Sequence, residues 1–176
     1  MKTYHMFFVV FVLGCLLLPQ RLASQSTAPD KNSPEFHQFD FWVGEWEASW
    51  LNTAKATVKG TNSIKKTLDD AVIYESFSDP TNKFYGQSWS VYNPQRKLWQ
   101  QTWVDNQGGY LDFTGGMNGG RMILSRSFVG PKGKTVHQRM VFYDILKNSF
   151  NWSWESSTDE GKSWKQQWLI QYKRKS

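Results

Sequence analysis

The chain has 176 residues, ten tryptophans, one cysteine and a formal charge of +6. Its basic residues are spread along the sequence, with small clusters only at Lys65-Lys66 and Lys173-Arg174-Lys175. So even and modest an excess argues against nucleic-acid binding and reads the terminal cluster as a solvated tail.

Lys2 and His5 precede an apolar run from Met6 to Leu18, which is followed by Pro19, Gln20 and small residues around Ala23, Ser24 and Ser26. A basic start, a short apolar stretch and small residues predict a secretory signal peptide over residues 1–24, with cleavage after Ser24 preferred to Ser26. The run, about 13 residues, falls short of the ~20 that cross a bilayer as a helix, and no later stretch approaches that length, so no membrane span is expected. Val12-Leu13-Gly14-Cys15 loosely resembles a lipobox. Leu16-Leu17-Leu18 remain apolar where a lipoprotein turns polar, so lipid anchoring at Cys15 is not expected. Cleavage removes Cys15 and leaves an exported protein, periplasmic or secreted, with no disulfide, thiolate nucleophile or cysteine metal ligand. Of the 21 basic residues Lys2 and Arg21 leave with the signal, so 19 face 15 acidic ones in a mature chain the size of one domain.

Residues 25–34, rich in Ser, Thr, Asn, Asp and Pro, read as a flexible leader. From Glu35 the texture changes and holds to residue 174, the predicted limits of a single domain. A helical turn or two is expected over Glu35–Trp42. Short segments rich in Trp, Tyr, Phe, Val and Thr then recur between turn residues, the pattern of a meandering antiparallel sheet. Strands are predicted at Glu45–Leu51, Thr57–Thr67, Val72–Ser78, Tyr85–Tyr92, Leu98–Asp105, Gly109–Gly115, Arg121–Val129, Val136–Asp144, Ser149–Ser156 and Ser163–Tyr172. Asp79-Pro80-Thr81-Asn82, Asn93-Pro94, Asn106-Gln107-Gly108-Gly109, Asn118-Gly119-Gly120 and Gly130-Pro131-Lys132-Gly133 are explicit turn signals. The fold class is therefore all-β. Ten up-and-down strands hide their edges most economically as a closed barrel, and a two-sheet sandwich is the alternative.

Alternation gives the strands an aromatic face and a wet face: Trp46, Ala48 and Trp50 on the first strand, Trp99 and Trp103 on the fifth, Trp164, Trp168, Ile170 and Tyr172 on the last. Some of these rings must pair as core. A barrel of this size also has room for one small apolar molecule, so a Trp-lined cavity and a filled core are both open. Gln101 shares parity with Trp99 and Trp103, and Gln166 with Trp164 and Trp168, which makes both amides candidate polar handles for a ligand. Glu75, Arg139 and Glu155 sit at strand centres; a solvated outer face is expected of them, and convergence inside would mark a functional trio. The candidate cavity set is thus Trp46, Trp99, Gln101, Trp103, Arg139, Glu155, Gln166 and Trp168.

No metal site and no cofactor are expected. Beyond the signal only His37 and His137 remain, about a hundred residues apart, and haem ligation by one of them has no supporting context. Gly-x-Ser-x-Gly, phosphate-loop and His-Glu-x-x-His motifs are absent, which leaves classical hydrolase chemistry unsupported. Ser157-Thr158-Asp159-Glu160-Gly161-Lys162-Ser163-Trp164 resembles the Asp-box hairpin of sialidase propellers, with Ser163 in the usual Thr position. Its residues have structural jobs: Asp159, with Ser157, ties the turn, Gly161 supplies a positive φ and Trp164 packs beneath. A propeller repeats the motif, whereas here it occurs once, so a stabilised hairpin is expected rather than a glycosidase.

Phe39-Asp40-Phe41-Trp42-Val43-Gly44-Glu45-Trp46 opens the domain, Trp99-Gln100-Gln101-Thr102-Trp103-Val104-Asp105 lies in the middle, and Ser157 to Trp164 followed by Tyr172 closes it. Together they resemble the exported bacterial family catalogued as domain of unknown function 1579, over about Glu35 to Lys173. The resemblance implies a signal peptide, a lipocalin-like or calycin-like barrel, no established activity, and no catalytic residues to carry over. By fold analogy it favours binding of a small apolar molecule. A barrel isomerase or lyase acting on such a ligand and a structural envelope component with a filled core are the rivals. A binder requires a lumen lined by Trp46, Trp99, Trp103 and Trp168 with few ionisable groups, whereas an enzyme requires Glu75, Arg139 or Glu155 to converge there.

Overall fold

The computed structural model describes residues 30–175. The predicted signal peptide, its cleavage site and Cys15 lie outside them, as does the start of the leader. Ten strands follow one another: β1 (Gly44–Leu51), β2 (Thr57–Thr67), β3 (Val72–Asp79), β4 (Phe84–Asn93), β5 (Leu98–Asp105), β6 (Tyr110–Asn118), β7 (Arg121–Val129), β8 (Thr135–Leu146), β9 (Ser149–Ser157) and β10 (Lys165–Arg174). Each pairs antiparallel with its sequence neighbours, and β1 closes on β10, so the sheet is a closed up-and-down barrel. Closure excludes the two-sheet sandwich and leaves no free outer strand. Among the described residues no helix is long and apolar enough to cross a membrane.

The strands form where the period-2 pattern predicts them, and all five explicit turn signals fall at connections. β10 is the informative difference. It starts at Lys165, because Ser163 and Trp164 belong to the preceding hairpin, and its register against β9 shifts between Gln166 and Trp168. One extra residue in a strand reverses the facing of everything on one side of it.

The predicted helical turns are two short 3₁₀ segments, Pro34–His37 and Asp40–Trp42. Ser33 caps the first by accepting from the Phe36 amide, and Pro34 suits its first turn. These segments plug one end of the barrel. Phe36, Phe39 and Trp42 are buried there, Phe39 meeting Trp99 edge to face at 4.9 Å and Phe142 at 5.8 Å. Two lumen indoles hold the plug by its backbone: Trp46 donates to the Trp42 carbonyl at 2.8 Å and Trp99 to that of Glu35 at 3.2 Å.

The terminal basic cluster is not wholly a solvated tail. Lys173 and Lys175 are exposed, but Arg174 lies in β10 with its guanidinium 4.2 Å above the Trp46 ring. It also donates to the carbonyls of Val43 at 2.9 Å and Lys147 at 3.1 Å. Gly44, at φ +140°, leaves the space that this guanidinium occupies.

Candidate functional site

The lumen is filled by side chains in one half and open in the other. Near the plug Trp46, Phe150 and Tyr172 pack ring against ring, as do Phe39, Phe142 and Trp99. Towards the opposite end a cavity of about 460 Å³ opens, walled by Phe77, Trp103, Met140, Trp152, Trp154 and Trp168. Its volume lies within the ~300–1,000 Å³ of small-molecule sites. Phe128, 37% exposed, and Gly109 stand at its rim.

Strand alternation aims these rings inward, and cross-strand pairing groups them. Trp152 faces Ile170 across β9–β10, Trp154 faces Trp168, and Trp154 meets Phe113 edge to face at 5.6 Å. Gly86 makes room for Trp103: a methyl group there would overlap its ring. The Trp103 indole donates to Asp105 Oδ2 at 3.0 Å, while Asp105 Oδ1 accepts from the amides of Gly109 and Gln107. Burial alone would raise the pKa of Asp105; these hydrogen bonds outweigh it and hold the carboxyl below its ordinary value. Asp105 is therefore a turn-tying carboxylate at the cavity rim.

Beneath the cavity lies a buried polar layer. Glu75 accepts from Asn62 Nδ2 at 2.7 Å and from Ser88 Oγ at 2.5 Å, and Asn62 reaches the Tyr172 hydroxyl at 3.3 Å. Gln101 donates to Ser90 Oγ at 2.9 Å in the same layer. Burial pushes the Glu75 carboxyl up to about 7, against the smaller opposing effect of its hydrogen bonds from Ser88 and Asn62. Burial, reinforced by the charge of Glu75, likewise raises Tyr172, which stays a neutral phenol. Tyr172 alone of these groups reaches the cavity wall.

Arg126 is the one cation lining the cavity among the described residues. Its Nη1 donates to Gln138 Oε1 at 3.0 Å, and its guanidinium lies 5.0 Å from the Phe128 ring centre. Its Nε is buried without a hydrogen-bond partner; the nearest carboxylate oxygen, on the largely exposed Asp112, is 4.0 Å away. The barrel wall is open beside it. β6 and β7 pair only from Thr114↔Ser125 to Asn118↔Arg121, so Tyr110–Phe113 and Arg126–Val129 face one another unpaired. A pocket of about 380 Å³ occupies this seam, lined by Asp112, Ser127 and His137 and sharing Phe113 and Arg126 with the lumen cavity.

The candidates from sequence divide accordingly. Trp103 and Trp168 line the cavity. Trp46 and Trp99 face inward but belong to the filled half, and Gln101 lies in the polar layer below. The other three are corrected to the outer face. Gln166 is exposed, because the shift in β10 puts it opposite Glu155 and away from Trp168. Arg139 and Glu155 pair with each other across β8–β9 at 2.6 Å, and their inward-facing neighbours are Gln138, Met140 and Trp154. Only Glu75 of the charged trio points inward, so the three do not converge. Both ring nitrogens of His37 are engaged, by Asp40 Oδ2 and the Lys31 carbonyl, and His137 stands in the seam on the parity of Arg139. A haem in the lumen would meet no inward-facing histidine among the described residues, and no group of three or more His, Cys, Asp or Glu gathers there as for a metal ion.

The hairpin residues do the work expected of them. Ser157 Oγ donates to Asp159 Oδ1 at 2.6 Å and accepts from the Gly161 amide at 2.9 Å, and Asp159 accepts from Ser163 N at 3.0 Å. The hydrogen bonds from Ser157 and Ser163 hold the Asp159 carboxyl down at about 2. Gly161 has φ +81°, and the Trp164 ring packs against it on one side. On the other it carries the Arg139 guanidinium 4.0 Å away, so Trp164 lies outside the lumen.

Sequence reasoning passed over Trp152, Trp154, Phe113 and Arg126. The first two were legible as alternate positions of one strand; Arg126 was not, because a lone arginine in a strand reads as solvated until the neighbouring strand parts from it. No protein-family model matches the chain, and no curated protein matches it.

Proposed function

We propose that the protein is a carrier or sensor that binds one small, largely apolar molecule in the open half of its barrel. The observation that carries this reading is the cavity of about 460 Å³ walled by Trp103, Trp152, Trp154 and Trp168. Close-packed interiors do not leave such a volume without cause, and four indoles present polarisable faces to a flat or chain-like ligand. Binding is favoured over barrel catalysis because Arg139 and Glu155 satisfy each other on the outer face and Glu75 is sealed beneath the cavity by Asn62 and Ser88. A purely structural envelope component with a filled core has only the plugged half of the lumen in its favour.

Export belongs to the same proposal. It rests on the sequence pattern of residues 1–24 and on the resemblance to domain-of-unknown-function family 1579, and it places the binder in the periplasm or outside the cell. Native mass spectrometry of the protein purified from its own host tests the reading. A defined co-purifying mass that is lost on unfolding is the expected result. Repeated recovery of ligand-free protein, with no thermal shift across a panel of lipids and aromatic compounds, would overturn it.

A further inference from the structure

One polar group in the cavity wall has an unpartnered donor. Arg126 faces the lumen from β7, held between the Phe113 and Phe128 rings, with one donor spent on Gln138 and its buried Nε unpaired. A guanidinium offers donors in a planar fork matched to a carboxylate, and that fork is only partly used here. The two acids nearby do not fill it. Asp105 is consumed by Trp103, Gln107 and Gly109, and Asp112 stands 4.0 Å off with most of its side chain in solvent.

We propose that Arg126 binds the carboxylate of an amphipathic acid whose apolar body lies in the cavity among Trp152, Trp154 and Trp168. The inference rests on the cavity reading above and adds the chemical class of its ligand: a single-headed organic acid rather than a neutral oil. The geometry orients the molecule. Arg126 is shared between the cavity and the seam, so the head sits where β6 and β7 part and water can reach its outer oxygen, while the body runs inward towards Ile170 and Tyr172. The unpaired strand edges at the seam give the head a polar surround that the indole walls do not offer.

The test compares dodecanoate with dodecan-1-ol, equal chains with and without the anionic head, by isothermal titration calorimetry at pH 8 and below micellar concentrations. The unmodified protein is expected to bind dodecanoate about ten-fold or more tightly than the alcohol, the preference that a charge-assisted hydrogen bond in a sheltered site produces. Arg126→Gln is expected to abolish that preference, lowering dodecanoate affinity to about that of the alcohol. Asp112→Asn, on an exposed side chain, removes the carboxylate that stands 4.0 Å from Arg126 and is expected to tighten dodecanoate by about two- to three-fold relative to the alcohol. Equal affinity for acid and alcohol in the unmodified protein, or an unchanged preference in Arg126→Gln, overturns this inference and leaves the cavity reading standing. Absence of binding by both compounds overturns the two together. Should Arg126→Gln fail to fold, Asp112→Asn decides, and dodecanoate binding that is unchanged or weaker in that variant overturns the proposal.

Discussion

Glu75 shows how much one residue's meaning depends on its depth. Its sequence neighbours Tyr74 and Ser76 are partly exposed, while Glu75 itself is 7% exposed and hydrogen-bonded to Asn62 and Ser88. Its carboxyl, ordinarily near 4.5, is pushed up to about 7 by burial. Between those values the folded protein holds a proton that the unfolded chain has released, so the contribution of Glu75 to stability is full below about pH 4.5 and is lost as pH rises to about 7. The full change is on the order of 3 kcal/mol. Glu75→Gln, neutral at every pH, is expected to flatten this slope and to raise the midpoint of urea unfolding at pH 8 relative to the unmodified protein. Denaturation curves at pH 5 and pH 8 check it, and parallel slopes for the two proteins would refute it. Asp159 makes the contrast. Its partners lie within four residues, so its role in the hairpin was legible from Ser157 to Trp164, whereas the partners of Glu75 come from β2 and β4, 13 residues away on either side.

Among the elements, the N-terminal plug converts an open tube into a cup. It contributes little regular structure but buries Phe36, Phe39 and Trp42 and engages the indoles of Trp46 and Trp99. Phe39→Ala removes a fully buried ring that contacts Phe41, Trp42, Trp99 and Phe142, and is expected to cost about 3–5 kcal/mol of unfolding free energy. Equilibrium denaturation monitored by tryptophan fluorescence measures it. A loss below about 1 kcal/mol would show the plug to be an ornament on an independently stable barrel. β10 supplies the element-scale lesson in legibility. Its alternation correctly faced Trp168, Ile170 and Tyr172 inward, but strict extension of that pattern also turned Gln166 inward, and one inserted residue sent it to solvent. Nothing in the side chains of Lys165–Trp168 signals the bulge.

For the whole molecule the decisive event is closure of β1 on β10, which joins residues more than 120 apart in sequence through pairs from Trp46↔Arg174 to Ser49↔Gln171. Arg174 locks it by stacking on Trp46 and donating to the carbonyls of Val43 and Lys147. Arg174→Ala is expected to destabilise the protein by about 1.5–3 kcal/mol, the range for hydrogen bonds from a charged donor. The slope of the denaturation curve should be unchanged, since the barrel still unfolds as one unit. A shallower slope with lost cooperativity would indicate that β10 detaches separately.

The sequence by itself determined the class of the fold, the number and approximate ends of the strands, the turns between them and the Asp-box hairpin, because each depends on contacts within a few residues or on the period-2 alternation of one strand. Tertiary structure decided between the expected closed barrel and a sandwich, and it alone decided that one half of the lumen is packed and the other open, that Glu75 and Arg126 face in and that Gln166 faces out. Those outcomes follow from which strands pair, over what length and with what bulge. The parting of β6 from β7 above Thr114↔Ser125 exposes Arg126 to cavity and seam together, and no single strand's sequence carries a trace of it.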